Sequence, residues 1–428
     1  MGRVPARLFR RVPERLRVPL VAGLAMVIIA GAAVVVLSSG GAQGGHLVAN
    51  RDQLKRACGG LLPYEELRGL VPDDVRGEAH AYGTRLTPDE ESRALLNCSV
   101  TWPDRGGVEV AAVPILSRLP DRAKLEAEDL LPASGMDGDA YEAPGVTGRS
   151  GGGPGAWVVA ECPAGLRTRG REVTGMYVTA SAYRTGAGAQ KSGTEARALR
   201  DVRTAVTVAN ALTRAQKCGG AAIPLPDAVV DTYDEKTTSD PDGSNWEVER
   251  IDIPGSDAAK CRGLGKDLGG RWSVAGDLQD SRLLSVCDAT PYERTDPSAE
   301  SGDVKGVHYI SAASWAGPLS EAVDESYEDH GASYGFRAGE RTKELREGEP
   351  VSLALWAGGQ CAAGRTLHRV SVSLDFGGHS STLTERERTR LSTQARKTLD
   401  GYLADPGGWP RQQRCHDTEI LGEVEGWR

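Results

Sequence analysis

Most of the reactive chemistry available to this 428-residue chain lies in eight cysteines: Cys58, Cys98, Cys162, Cys218, Cys261, Cys287, Cys361 and Cys415. A cysteine acts as a nucleophile or metal ligand when it is a thiolate, and as a staple when it is half of a disulfide. Zinc sites in sequence show C-x-x-C or closely spaced histidines, and neither pattern occurs here. The seven histidines (His46, His80, His308, His330, His368, His379 and His416) show no H-E-x-x-H spacing. An even number of widely spaced cysteines reads as a disulfide framework. No metal, no cofactor and no catalytic residue is assigned.

The cysteines fall into two tetrads, with gaps of 40, 64 and 56 residues in the first and 26, 74 and 54 in the second. Ser92-Arg93-Ala94-Leu95-Leu96-Asn97-Cys98 aligns with Ser281-Arg282-Leu283-Leu284-Ser285-Val286-Cys287. Trp157 and Trp356 each stand five residues before a cysteine, and x-Ala-Gly follows both Cys162 and Cys361. These matches predict an internal repeat. Three pairing schemes per half remain open. The favoured one joins first to second and third to fourth, because each bond would then tie a helix-like end to a strand-like segment.

Other motifs carry weaker signals. Gly148-Arg149-Ser150-Gly151-Gly152 fits G-x-S-x-G, but a nucleophile elbow needs a strand before the serine and a helix after it. Here Gly153-Pro154-Gly155 follows, which favours a loop. Gly263-Leu264-Gly265-Lys266 lacks the spacing of a phosphate-binding loop and reads as a turn. Asp240-Pro241-Asp242-Gly243-Ser244-Asn245 offers oxygen ligands for calcium, yet Pro-Asp-Gly is also a plain turn signal. Glu321, Asp324, Glu325, Glu328 and Asp329, followed by His330, make the densest acidic cluster. Paired carboxylates serve acid–base chemistry, but the setting favours a solvated face.

The N-terminus sets the expected compartment. Leu20 to Leu37 is an uncharged run of 18 residues, about 27 Å as a helix and close to the thickness of a hydrocarbon core. Arg3, Arg7, Arg10, Arg11, Arg15 and Arg17 precede it, against Glu14 alone, which places the N-terminus inside by the positive-inside rule. The expected plan is a basic cytoplasmic segment 1–19, a transmembrane helix 20–37 and a Gly-rich tether 38–48. A cleaved signal peptide is the alternative, with small residues at Ser38-Ser39-Gly40-Gly41-Ala42. The full chain carries −8; residues 1–37 hold six Arg and one Glu, so the remainder carries −13. That charge argues against nucleic acid as a partner.

Beyond the tether, length predicts two domains, 49–218 and 246–428, joined by a linker 219–245. Leu96 to Trp102, Val108 to Leu116, Ala156 to Ala160 and Gly175 to Tyr183 read as strands in the first. Leu283 to Ala289, Gly306 to Ala313, Leu353 to Ala357 and Leu367 to Phe376 read as strands in the second. Asn50 to Leu61 reads as a short helix. Leu199, Val202, Val206, Ala209 and Leu212 form one face of a helix over Glu195 to Lys217. Leu391, Ala395, Leu399 and Tyr402 form another stripe. The predicted fold class is α+β: an N-terminal transmembrane helix, then two tandem, similar, disulfide-stapled domains, each an antiparallel sheet with a long helix packed on it.

The Cys58-Gly59-Gly60-Leu61-Leu62 start and the later Cys98-x-x-x-Trp102 resemble uncharacterised actinobacterial envelope proteins, many of them lipoproteins with a small α+β sandwich domain. The Arg-, Ala- and Gly-rich composition is similar to that of streptomycete exported proteins. The resemblance implies a cell-envelope setting and no particular reaction. The expected function is therefore a single-pass, membrane-anchored extracytoplasmic protein, N-terminus cytoplasmic. Its role leans to non-catalytic binding or scaffolding, with an envelope protein, peptide or cell-wall component as partner. A hydrolase with carboxylates assembled only by the fold is the alternative, and a sensor signalling through a membrane partner the third reading.

Overall fold

The computed structural model describes residues 45–83, 94–115, 141–150, 155–168, 171–185, 194–231, 258–261, 263–264, 272–276, 281–291, 307–320, 323, 352–374 and 385–426. Alternating apolar and small residues draw most of these into two antiparallel sheets. The first has eight strands in the order β1-β2-β3-β7-β6-β5-β4-β8. They are β1 Glu78–Tyr82, β2 Leu96–Trp102, β3 Gly106–Pro114, β4 Tyr141–Glu142, β5 Gly148–Ser150, β6 Ala156–Thr168, β7 Arg171–Arg184 and β8 Val230–Asp231. The second has six, in the order β14-β12-β13-β11-β10-β9: β9 Trp272–Gly276, β10 Leu284–Pro291, β11 Val307–Ala316, β12 Ser352–Cys361, β13 Gly364–Leu374 and β14 His416–Gly426. Among the described helices are α1 Leu47–Arg56, α2 Tyr64–Leu67, α3 Thr194–Gln216, α4 Glu385–Ala404 and α5 Trp409–Gln412.

This architecture is mostly β and corrects the predicted α+β class. The error lay in strand count and length. The hairpin β6–β7 runs from Ala156 to Arg184, well past the short cores legible from Val, Thr and Tyr content. Strand β14 carries His416, Asp417, Glu419, Glu423 and Glu425, too polar to signal itself; it is recruited by pairing with β12. Strands β1, β4, β5, β8 and β9 were equally unannounced, being short or flanked by turn residues. Val230–Asp231 lies within the stretch expected as linker and pairs with β4.

The leading transmembrane helix of the predicted class is also not part of the observed fold. Residues 1–19, 20–37 and 38–44 lie outside the described residues. No described helix is long and apolar enough to cross a membrane.

Period-two alternation gives each sheet two dry faces. On the first sheet, Cys98, Val100 and Trp102 of β2, Val158 and Ala160 of β6, and Met176, Val178 and Ala180 of β7 point to one side. There they meet Ala198, Val202, Val206, Ala209 and Leu212 of α3. On the second, Ile310 and Ala312 of β11, Leu355 and Ala357 of β12, and Val370 and Val372 of β13 meet Ala395, Leu399 and Tyr402 of α4.

The opposite faces pack on each other. Trp157 and Val159 of β6, Tyr177 of β7 and Ile115 join Leu284, Ala313, Trp315, Trp356 and Leu367 in one buried cluster. Trp157 stacks on Tyr177 at 5.7 Å between ring centroids, and Trp315 on Trp356 at 5.7 Å. Polar groups seal the rim of this seam. The Thr147 and Ser281 hydroxyls share a hydrogen bond, and Arg282 grips Glu161 from across the seam. The result is two sheets back to back with a helix on each outer face.

Four disulfides tie helix ends to strands: Cys58–Cys98, Cys162–Cys218, Cys261–Cys287 and Cys361–Cys415. These are the pairs favoured from chain order. The helix ends that present the cysteines are built alike at two of them. Lys217 and Arg414, each just before a cysteine, take a left-handed backbone with φ of 56°. That turn lets the Cys218 and Cys415 amides donate back five residues, to the Thr213 and Pro410 carbonyls, at 2.9 and 2.8 Å.

Candidate functional site: a buried histidine against a disulfide

The most organised polar group among the described residues sits between the second sheet and its helix. Ser314 on β11 and His368 on β13 are register partners across the ladder. Alternation turns both toward α4, into positions that the pattern would give to apolar residues. His368 Nδ1 lies 2.7 Å from Ser314 Oγ, and the same oxygen lies 2.8 Å from the Tyr402 hydroxyl. The imidazole meets the Tyr402 and Trp409 rings edge to face, at 6.4 Å from each centroid. Trp409 is itself fixed by its indole N–H, which donates to the Ser281 carbonyl at 2.7 Å. A ring nitrogen of His368 and the sulfurs of Cys361 and Cys415 all lie within 4.8 Å of one another.

Burial sets the electrostatics. Ser314 and His368 are fully buried, and desolvation pushes the imidazole down to about 4. His368 is therefore neutral at physiological pH. One nitrogen is anchored, while Nε2 has no hydrogen-bond partner. A serine hydroxyl 2.7 Å from an imidazole has the spacing of a nucleophile and its base. Sealed between sheet and helix, this serine admits no carbonyl substrate. The chemistry left to the site is that of a neutral imidazole beside a disulfide.

Compared with protein families, with curated proteins and with solved structures, the chain matches none.

The residues singled out from sequence are placed as follows. All eight cysteines are in the four bridges, and none is free. Gly148-Arg149-Ser150 is strand β5, and the Ser150 hydroxyl donates to the Gly155 carbonyl at 3.2 Å. Past Ser150 the chain returns as the antiparallel strand β6, with Ala156 opposite Ser150, where a nucleophile elbow needs a helix; Gly151 and Gly152 lie outside the described residues. Leu264 closes a turn onto the Cys261 carbonyl at 3.0 Å, while Gly265 and Lys266 are outside. The calcium candidate, Asp240 to Asn245, and the acids Glu321, Asp324, Glu325, Glu328 and Asp329 with His330 lie outside the described residues too. Trp157 and Trp356 line the buried seam, as core residues would.

Sequence reasoning missed the Ser314–His368–Tyr402 group. The one available signal was a histidine at an inward position of the strand around Leu367. It also missed Asp201, 1% exposed on α3. That carboxylate accepts the Ala182 amide at 2.9 Å and faces Arg197 at 3.7 Å. Burial dominates over those contacts and lifts its pKa to about 6.

Proposed function

We propose that this protein works outside the cytoplasm as a non-catalytic binding or scaffolding component of the cell envelope. The observation supporting the reading is its construction. Four disulfides, persistent only in an oxidising compartment, staple helix ends to sheets whose remaining faces close on a shared aromatic seam. Closing loops of 26 to 56 residues stabilises by about 3–4 kcal/mol each in the chain-entropy model. Such a body holds its surface rigid and its best-organised polar groups buried. Side chains left for a protein or peptide partner include Tyr82 on the exposed edge strand β1 and Leu225.

The parallel helix-end turns at Lys217–Cys218 and Arg414–Cys415, together with the matching Trp157 and Trp356, support reading the two sheets as two versions of one unit. The test of function is in-cell photo-crosslinking from Tyr82 and Leu225, each replaced in turn by a photoreactive residue. Recovery of the same adduct from independent cultures supports binding. Absence of any adduct, with the full-length protein present and correctly oxidised, refutes it.

A further inference from the structure

We propose that Cys361, Cys415 and His368 form a latent zinc site, which the disulfide closes and a dithiol reductant opens. In the opening step the Cys361–Cys415 bond breaks. The dithiol supplies two electrons and two protons and leaves as its own disulfide, and Cys361 and Cys415 become thiols. A divalent zinc ion then takes both sulfurs and His368, and the two thiol protons pass to solvent.

Three observations converge on this assignment. The first is geometry. The three candidate ligand atoms already lie within 4.8 Å of one another. Tetrahedral zinc, with bonds of about 2.0–2.3 Å, needs its ligands about 3.5 Å apart. Once the bond is cut, the sulfurs have only to part to about that distance.

The second is the state of the histidine. Ser314 occupies Nδ1, and Nε2 is left buried without a partner. An orphaned buried polar atom is uncommon. If Nδ1–H donates to Ser314, a lone pair stands on Nε2, with the ring held by the Tyr402 and Trp409 edges. A ligand imidazole is usually oriented in this way by a second hydrogen bond.

The third is access. Cys58, Cys98, Cys162, Cys218, Cys261 and Cys287 are at most 1% exposed, whereas Cys361 is 9% exposed and Cys415 is half-buried. A reductant reaches this bridge first. The cysteines also stay neighbours once the bond is cut. The Ala362 amide donates to the Gln413 carbonyl at 2.8 Å, and β12 remains paired with β14. The site is a preorganised dithiol with an imidazole. Two sulfurs and one nitrogen suit zinc over magnesium or calcium. A fourth position remains for water or an external ligand.

The test uses the full chain, oxidised and metal-free, reduced for a limited time with a phosphine that is then removed. Alkylation and peptide mapping identify the opened bridge, and cobalt(II) serves as the spectroscopic probe before competition by zinc. The expected result is selective opening of Cys361–Cys415 and thiolate-to-cobalt charge transfer at one metal per chain. His368→Gln should weaken cobalt binding at least tenfold. Ser314→Ala should weaken it about 10–100-fold, because it frees the ring without removing a ligand. A Cys361→Ser/Cys415→Ser chain sets the background. Each of these would overturn the proposal: another bridge opening first, loss of the near-UV dichroism on opening, or no charge-transfer band in chains with both thiols mapped as free. Undiminished binding by both the His368 and Ser314 variants would do the same.

Discussion

Replacing Asp201 by asparagine should stabilise the protein at neutral pH and remove a component of its pH dependence. The carboxylate is buried beneath β7, where Oδ1 accepts the Ala182 amide at 2.9 Å. The cations around it are Arg197 at 3.7 Å, itself 45% exposed, and Arg200. Arg200 is committed to the Ala182 carbonyl at 3.0 Å. These contacts do not offset desolvation, and the pKa stands at about 6 against 3.8 for the unperturbed group. The folded state thus holds this proton more tightly than the unfolded chain. The associated stability is fully present below about pH 4 and is lost as pH rises through about 6. A difference of about two pKa units corresponds to about 3 kcal/mol. Asparagine reproduces the uncharged form and keeps an oxygen for the Ala182 amide. The variant and the parent should therefore be nearly equal at pH 4, and the variant more stable by about 3 kcal/mol at pH 7.5. Urea unfolding followed by circular dichroism under non-reducing conditions measures the difference, since urea adds no ions that screen the arginines. Parallel stability curves for the two chains across that range would refute the reasoning.

Two further outcomes follow from the packing. Trp356→Ala opens a cavity in the seam that joins the sheets and should cost about 3–5 kcal/mol. If the seam couples the two halves, differential scanning calorimetry will also show the single transition split; an unchanged transition would separate Trp356 from that role. Asn50→Ala removes a buried amide that donates to the Pro72 and Val75 carbonyls and accepts the Gly77 amide. The loss should be about 3 kcal/mol, from the groups left unsatisfied, with faster hydrogen exchange at Gly77 than at the centre of β6. Equal acceleration at both would point to global unfolding instead.

Chain-local signals were legible from sequence wherever one element carries its own pattern. Strand β2 spans Leu96–Trp102 as predicted, because apolar and polar residues alternate through it without interruption. Helix α3 runs Thr194–Gln216, within a residue of prediction at each end, because its apolar stripe repeats at helical spacing. The cysteine pairs were legible for a similar reason. Each joins cysteines consecutive in chain order, and of the three schemes open per half this is the one that ties a helix-like end to a strand-like segment.

Tertiary structure decided the rest. Strand β14 carries four acids among its eleven residues and pairs with β12 where β12 offers its edge, and no single-segment property encodes that offer. Nothing local says that the faces of the two sheets turned away from the helices should meet through Trp157, Trp315 and Trp356; each tryptophan alone satisfies any core. The histidine is the clearest case. His368, Ser314, Tyr402, Cys361 and Cys415 lie on four elements and one connection, and none stands at metal-ligand spacing from another in sequence. Register across β11 and β13, the rotation of α4 and the turn before Cys415 bring them within contact. Sequence determined which segments could be sheets and helices and which thiols could pair, since those depend on short-range periodicity. The buried imidazole beside a bridge depends on register and packing between distant segments, and so on the folded chain.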